Sequence, residues 1–374
     1  MAIDWSVHRR GLFTGAAAAI LGGTVAHKTR AAAAAKPFQL NLISAARIGE
    51  TDGGVKIDSE GLTGFSLPDR AHGLTRLPTG EVVLIGRRPG KFAAILSAET
   101  PQAIAIRHVF APIRGHRFAG HAALHPDARM LATSEIDAET GAGRVVMRDA
   151  KNGAPKAIFA AGIEPHDLLF ARGGSRLVVA IGGIAKAADV KGPPINAGNI
   201  ESAIVELDPK SGAVLRRHAL GEPMKSLSLR HMALAPDDET VLFGMQDQDR
   251  AQLRPLMGHL RVGGEITLLP LPGEDEGALR SYVGSVAIDS SGRFIASTSP
   301  KGGMIGLWSL ADGRWFGGLA VPDVCGLAAD TVSGKFWATS GLGDVLSLTA
   351  SHEGFVAGAH WKAPAAFDNH LLKF

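Results

Sequence analysis

The chain has 374 residues, 45% of them apolar but only 6% aromatic, with 47 glycines and a single cysteine, Cys325. That length suffices for one large domain or two ordinary ones, and a lone cysteine excludes an intrachain disulfide even in an oxidising compartment. The formal net charge of +3 argues for nucleic acid or an acidic surface only if it belongs to the folded part.

It does not. His8-Arg9-Arg10-Gly11-Leu12-Phe13 resembles a twin-arginine export motif, with His where Ser or Thr is usual. A small-residue apolar stretch follows from Leu12 to Val25, then Lys28, Arg30 and the alanine tract Ala31 to Ala35, which offers an Ala-x-Ala cleavage site. The stretch is too short to span a bilayer comfortably. The expectation is an export signal over 1–35, a mature domain over 36–374 and a periplasmic location, with no membrane contact after cleavage. The signal holds four bases (Arg9, Arg10, Lys28, Arg30) and one acid (Asp4), so the 39 basic and 36 acidic residues fall to 35 of each. A mature chain of zero net charge gives no case for nucleic acid.

Beyond residue 35 the pattern is of short apolar runs bounded by Gly, Pro, Asp, Asn and Ser, with no sustained helical period, as in a turn-rich β protein. The runs repeat. First strands begin at His72, His121, His166, His231, Ser285, near Cys325 and at His370, with spacings of 49, 45, 65, 54, 40 and 45 residues. Second strands are expected at Glu81–Gly86, Met130–Ser134, Leu177–Ile181, Thr240–Gly244, Phe294–Thr298 and Lys335–Ser340. Third strands are expected at Arg144–Arg148, Ala203–Leu207, Met304–Ser309 and Asp344–Thr349. The long 65-residue interval contains a Gly-, Pro- and Asn-rich insertion, 182–199, of the kind that is often functional. These lengths suit four-stranded propeller blades. The C-terminal strand from His370 has no followers, whereas Phe38–Ala45, Val55–Asp58 and Gly64–Leu67 have no innermost partner. Joining them closes a ring without an open edge. The reading is an all-β, seven-bladed β-propeller closed by both termini, with six or eight blades or a pair of sandwiches as alternatives.

In such a fold the first strands line the central channel, and equivalent positions form a ring: His72, His121, His166, His231, Ser285, Cys325 and His370. Three readings remain open: a hydrogen-bonded structural lining, a transition-metal site built from imidazoles, or an anion or small-ligand site. The last is suggested by Arg70 and Arg230 beside ring histidines, and by Arg87 and Arg88 in Gly86-Arg87-Arg88-Pro89-Gly90. The five histidines are the metal-ligand candidates. Arg70, Arg88, Arg230, Ser285 and Cys325 are candidate ligand-binding or supporting residues, and His125 is a candidate support for His121. Convergence of the imidazoles to within about 4–5 Å of a point would favour one ion held at roughly 2 Å, whereas a ring about 12 Å wide could not close on it. Cys325 as a thiolate nucleophile is the weaker reading beside a small buried hydrophobe. Glu135, Asp137 and Glu139 read as a solvated loop, as do Asp247 and Asp249. There is no phosphate loop, nucleophile elbow or haem-attachment motif, so the sequence names no catalytic residue and a nucleotide cofactor is not expected.

The leader with Arg70-Ala71-His72-Gly73, Gly86-Arg87-Arg88-Pro89-Gly90, Gly120-His121-Ala122, Glu164-Pro165-His166-Asp167-Leu168, Leu229-Arg230-His231-Met232-Ala233 and Asp368-Asn369-His370-Leu371 resembles the bacterial family catalogued as domain of unknown function 1513. The resemblance spans nearly all the mature chain and implies a periplasmic propeller of the YVTN/WD40-like type with no assigned activity. It also implies a setting near imelysin-like periplasmic iron-uptake proteins and di-haem peroxidase-like proteins. Ser134-Glu135-Ile136-Asp137 departs from the family pattern, so no role is carried onto it. The expected function is binding of iron or copper by the histidine ring in a metal-uptake context, by a monomer that is not expected to be an enzyme. The alternatives are a non-catalytic platform for iron-uptake partners, using the 182–199 loop, and a propeller enzyme of lactonase or quinoprotein type.

Overall fold

A computed structural model describes residues 40–59, 61–100, 103–186, 196, 200–249 and 253–373. The expected export segment and most of the 182–199 insertion lie outside these residues. Seven four-stranded antiparallel sheets follow one another along the chain. Blades 1 to 6 are each made of four consecutive strands. Their innermost strands are Ala71–Arg76, His116–Leu124, Pro165–Ala171, Leu227–Leu234, Ser285–Ile288 and Val324–Ala329. Blade 7 joins the termini: Ala366–Lys373 is innermost, followed outward by Asn41–Ile48, Thr51–Asp58 and Gly61–Ser66. Its closing register pairs Leu42 with Lys373, Ile43 with Leu372 and Ala46 with Phe367. The seven-bladed, terminus-closed propeller read from the sequence is therefore the fold.

Burial explains why the inner strands were legible. Stacked blades cover both faces of the second strands, so these read as unbroken apolar runs. Val82–Gly86 and Phe294–Ser299 are buried throughout. Outer strands face water and are mostly polar or exposed, as in Val214–Ala219. Between blades lie continuous apolar clusters, such as Leu229, Phe243, Met245 and Trp308 in one and Leu42, Cys325, Trp337 and Val345 in another. Each such side chain contributes roughly 1.5–3 kcal/mol by leaving water.

The innermost strands differ from expectation in one respect. The ring residue seldom begins its strand, because a bulge sits at that position. The ladder shifts between Ala71 and Leu74, Phe118 and Ala122, Pro165 and Leu168, Leu229 and Met232, and Val324 and Leu327. In blade 7 it shifts between Phe367 and Leu371. Only Ser285–Ile288 pairs without a shift. A bulge breaks two-residue alternation and re-aims the extra side chain, so the strand runs on past the residue at which its pattern appears to start. Glu135 is a second difference. Met130–Asp137 is a longer strand than expected, and Glu135 is fully buried against Arg148 rather than solvated. Asp247 is likewise buried, on Arg254 and Ser226.

Candidate metal centre

The bulges carry His72, His121, His166, His231 and His370 into the axis. The first four are at most 9% exposed, and one ring nitrogen from each lies within 4.8 Å of the other three. His370 is outside that tightest set, yet its ring centroid is 4.5 Å from that of His72, 4.8 Å from His121 and 4.6 Å from His231. Most contacts are edge-to-face; the His72 and His121 planes meet at 85°. Such close approach of blades 1 and 2 depends on glycine. A Cβ on Gly73 would stand 2.4 Å from the Gly120 carbonyl oxygen. Gly120 itself has φ +112°, and its Cβ would press on the His72 ring at 3.0 Å, a backbone region that is strained for any other residue.

Charged neighbours fix the tautomers. A carboxylate only accepts and a guanidinium only donates. His72 Nδ1 donates to Asp368 Oδ1 at 2.8 Å, and His121 Nδ1 lies 3.3 Å from Asp167 Oδ1. The His72 ring therefore turns a basic Nε2 inward, in the arrangement that orients metal-binding histidines, and the Asp167 carboxylate beside His121 Nδ1 favours the same tautomer there. His121 Nε2 is buried with no hydrogen-bond partner, as are His231 Nδ1 and His370 Nε2. His166 is different. Arg230 Nη1 donates to its Nδ1 at 3.3 Å, which leaves the proton on Nε2, 3.2 Å from His231 Nε2. The latter accepts, so three of the four clustered rings present a lone pair and the fourth an N–H. Two nitrogens bound at roughly 2 Å to one tetrahedral or octahedral ion lie about 3 Å apart, close to the His166–His231 separation.

The protonation states agree. Burial lowers the His72 pKa against the opposing pull of Asp368. Burial, then the Arg230 charge, pushes His166 well below its usual value. Burial also holds His231 and His370 well below theirs, reinforced by their imidazole neighbours. Burial works to raise the Asp368 carboxyl, but the His72 hydrogen bond and the Arg87 and Arg70 charges outweigh it and hold it far below the carboxylate range. At neutral pH His72, His166, His231 and His370 are thus uncharged imidazoles, the form that binds metals.

The other expected residues fall around this set. Arg70 Nε and Arg87 Nη1 donate to Asp368 Oδ2 at 2.8 and 2.9 Å. Arg88 contacts buried Glu164, whose Oε1 also accepts from Arg230 Nη1 at 2.5 Å. Burial lowers both of these guanidinium pKa values to about 10. Ser285 is buried beside His121, His231 and His370 in a cavity of about 160 Å³. Cys325 is not brought to the imidazoles. Its Sγ meets the carbonyl oxygens of Phe367 and Thr339 at 3.3 and 3.5 Å, and burial raises the thiol to about 12, so it is a protonated core residue. His125 does not support His121; it bonds Gly174 and packs on Phe170. Asp167, Asp368 and Glu164 are site residues that sequence reasoning did not assign. All three acids lie within two residues of a ring histidine, which is the signal that could have found them.

The fold and site together define a seven-bladed propeller whose axis is plugged by five histidines, four of them buried. The chain belongs to the family described as protein of unknown function DUF1513, which it matches over residues 65–374. A comparison with curated proteins returned no match. Among solved structures it resembles a chain of Kuenenia stuttgartiensis hydrazine synthase, with 11% identity, a TM-score of 0.62, and coverage of 87% of this chain and 99% of that one. That likeness is one of fold alone.

Proposed function

We propose that this protein binds a transition metal, iron or copper, at the channel axis through His72, His121 and His231, with His166 or His370 completing the set. The observation that carries the reading is the inward Nε2 of His121, buried, unpartnered and backed by Asp167 on the opposite nitrogen. A buried polar atom without a partner costs about 1–3 kcal/mol, and a bound ion would remove that cost. All-imidazole donors suit copper, iron, zinc and nickel over calcium or magnesium, and with its thiol protonated Cys325 adds no soft ligand. At equal availability copper binds such a site more tightly than iron. His166 ligates only by releasing its Nε2 proton or its contact with Arg230, so it is the last ligand to join. The proposed setting is the periplasm, reached by the twin-arginine route, in a metal-handling pathway with imelysin-like partners.

The test is metal analysis of the full-length protein after purification and after incubation with Fe(II) or Cu(II). About one equivalent is expected in the wild type and near none in a His121→Ala/His231→Ala variant with an unchanged circular dichroism spectrum. Equal, near-zero content in both would overturn the proposal.

A further inference from the structure

The two ends of the channel carry opposite chemistry. Residues that follow the ring histidines along their strands, Gly73, Ala122, Asp167 and Met232, line the small cavity beside Ser285, and Asp167 is its one charged group. On the other side, where the innermost strands begin, lies a larger vestibule of about 410 Å³. Arg70, Arg87 and Lys301 reach it, with Tyr282 and Asn369 between them. Arg70 and Arg87 share a single carboxylate oxygen, Asp368 Oδ2. Yet their side chains remain 49% and 39% exposed while Asp368 is 2% exposed. Their remaining N–H groups therefore face the vestibule, and one carboxylate does not balance two guanidiniums. Lys301 stands over the Tyr282 ring at 5.0 Å, and the Tyr282 hydroxyl accepts from Asn369 Nδ2 at 2.7 Å, leaving its own O–H to donate. Asp323 is the second carboxyl on the wall, its pKa raised by burial, so with Asp368 it faces four lining cations, Arg47, Arg70, Arg87 and Lys301.

We infer that this vestibule is a binding site for a small di- or tricarboxylate. Planar guanidinium forks match carboxylates two bonds at a time. The cations stand on nearly opposite walls: Arg70 and Arg87 flank strands of blade 1, whereas Lys301 follows the second strand of blade 5, across the seven-blade ring. A ligand with one anionic centre satisfies one wall, whereas a ligand with two or three spans both. The volume lies in the range of small-ligand pockets. Asp368 links this site to the imidazoles, since its other oxygen accepts from His72. The anion site stands without the metal reading, because Arg70, Arg87, Tyr282 and Lys301 are not among the proposed metal ligands.

Calorimetric titration of metal-free, full-length protein with citrate at low ionic strength and pH 7.5 tests the assignment. Saturable binding is expected, weakened at least tenfold in Arg87→Gln/Lys301→Gln and unchanged in His121→Ala, which separates this site from the metal ligands. Lys301→Gln alone, at an exposed position, is expected to weaken binding about threefold and decides the matter if the double variant misfolds. Inorganic phosphate is expected to bind at least tenfold more weakly than citrate. No saturable citrate binding at millimolar concentration, equal affinity in the variants, or phosphate binding as tightly as citrate would overturn the inference.

Discussion

Two of the seven innermost strands carry no histidine at the axis, and the contrast with the five that do separates scaffold from site. At Cys325 the ladder shifts as it does at the histidines, but the side chain turns into the apolar packing among Leu42, Trp337 and Val345. Its backbone carbonyl accepts from Thr298 of the preceding blade at 2.7 Å. At His166 the carbonyl accepts in the same way from Ser134 of the preceding blade at 2.9 Å. At these two positions the link between blades runs through the main chain, with a thiol and an imidazole alike. Ser285 serves its blade with no shift at all. The bulge thus occurs with and without a histidine, as at Cys325, and a blade also forms without it, as at Ser285, so the axial imidazoles are not dictated by the strand pairing alone.

That comparison can be broken by substitution. The largest expected difference is in metal content: His121→Ala/His231→Ala loses the whole equivalent, and Cys325→Ala retains it, both read by elemental analysis. Acid stability of the metal-free protein comes next. His72, His166, His231 and His370 have folded pKa values below the ordinary 6.5, so below that pH the unfolded chain takes up protons that the folded chain does not. Stability is then lost as pH falls from 6.5 toward the folded values, by up to about 1.4 kcal/mol per pH unit for each ring. Denaturant melts at pH 7.5 and 5.5 should show this slope, and replacing His231 with Gln should flatten it. A slope unchanged by that replacement would remove the buried, neutral histidines from the account.

Smaller effects sharpen the picture. Asp368→Asn takes the ionised acceptor from His72 Nδ1 and should weaken metal binding roughly 10–100-fold, the usual effect of losing a ligand's supporting group. Competition with a chelator measures it, and an unchanged affinity would mean that His72 is not a ligand. Cys325→Ala removes one buried sulfur from a packed cluster and should cost about 1 kcal/mol in a denaturant melt, with metal affinity unaltered. A drop in affinity there would return Cys325 to the site.

The blade count was legible because inner strands buried on both faces write themselves as apolar runs at 40- to 65-residue spacing. Their starts were not, because the bulges that aim His121, His231 and His370 inward also interrupt the alternation by which a strand is recognised. The histidines stood out as a repeat of five, whereas Glu164 and Asp368 share the offset of two residues before a ring histidine in only two blades, and Asp167 follows its histidine, which is too little to read as a period. The vestibule was less visible still. Arg87, Tyr282, Lys301 and Asn369 come from separate stretches of chain, and only closure of the ring assembles them. Glu135 was misplaced because a carboxylate next to a turn-like sequence reads as solvated, and its partner Arg148 sits one strand away.

The central claim is that imidazoles at the axis, and no sulfur, hold an ion. X-ray absorption spectroscopy of the copper-loaded protein tests it most directly. The account predicts three or four nitrogen scatterers at about 2 Å, with the outer-shell features of imidazole and no sulfur shell near about 2.3 Å. A sulfur shell, or a coordination sphere of oxygens alone, would contradict it.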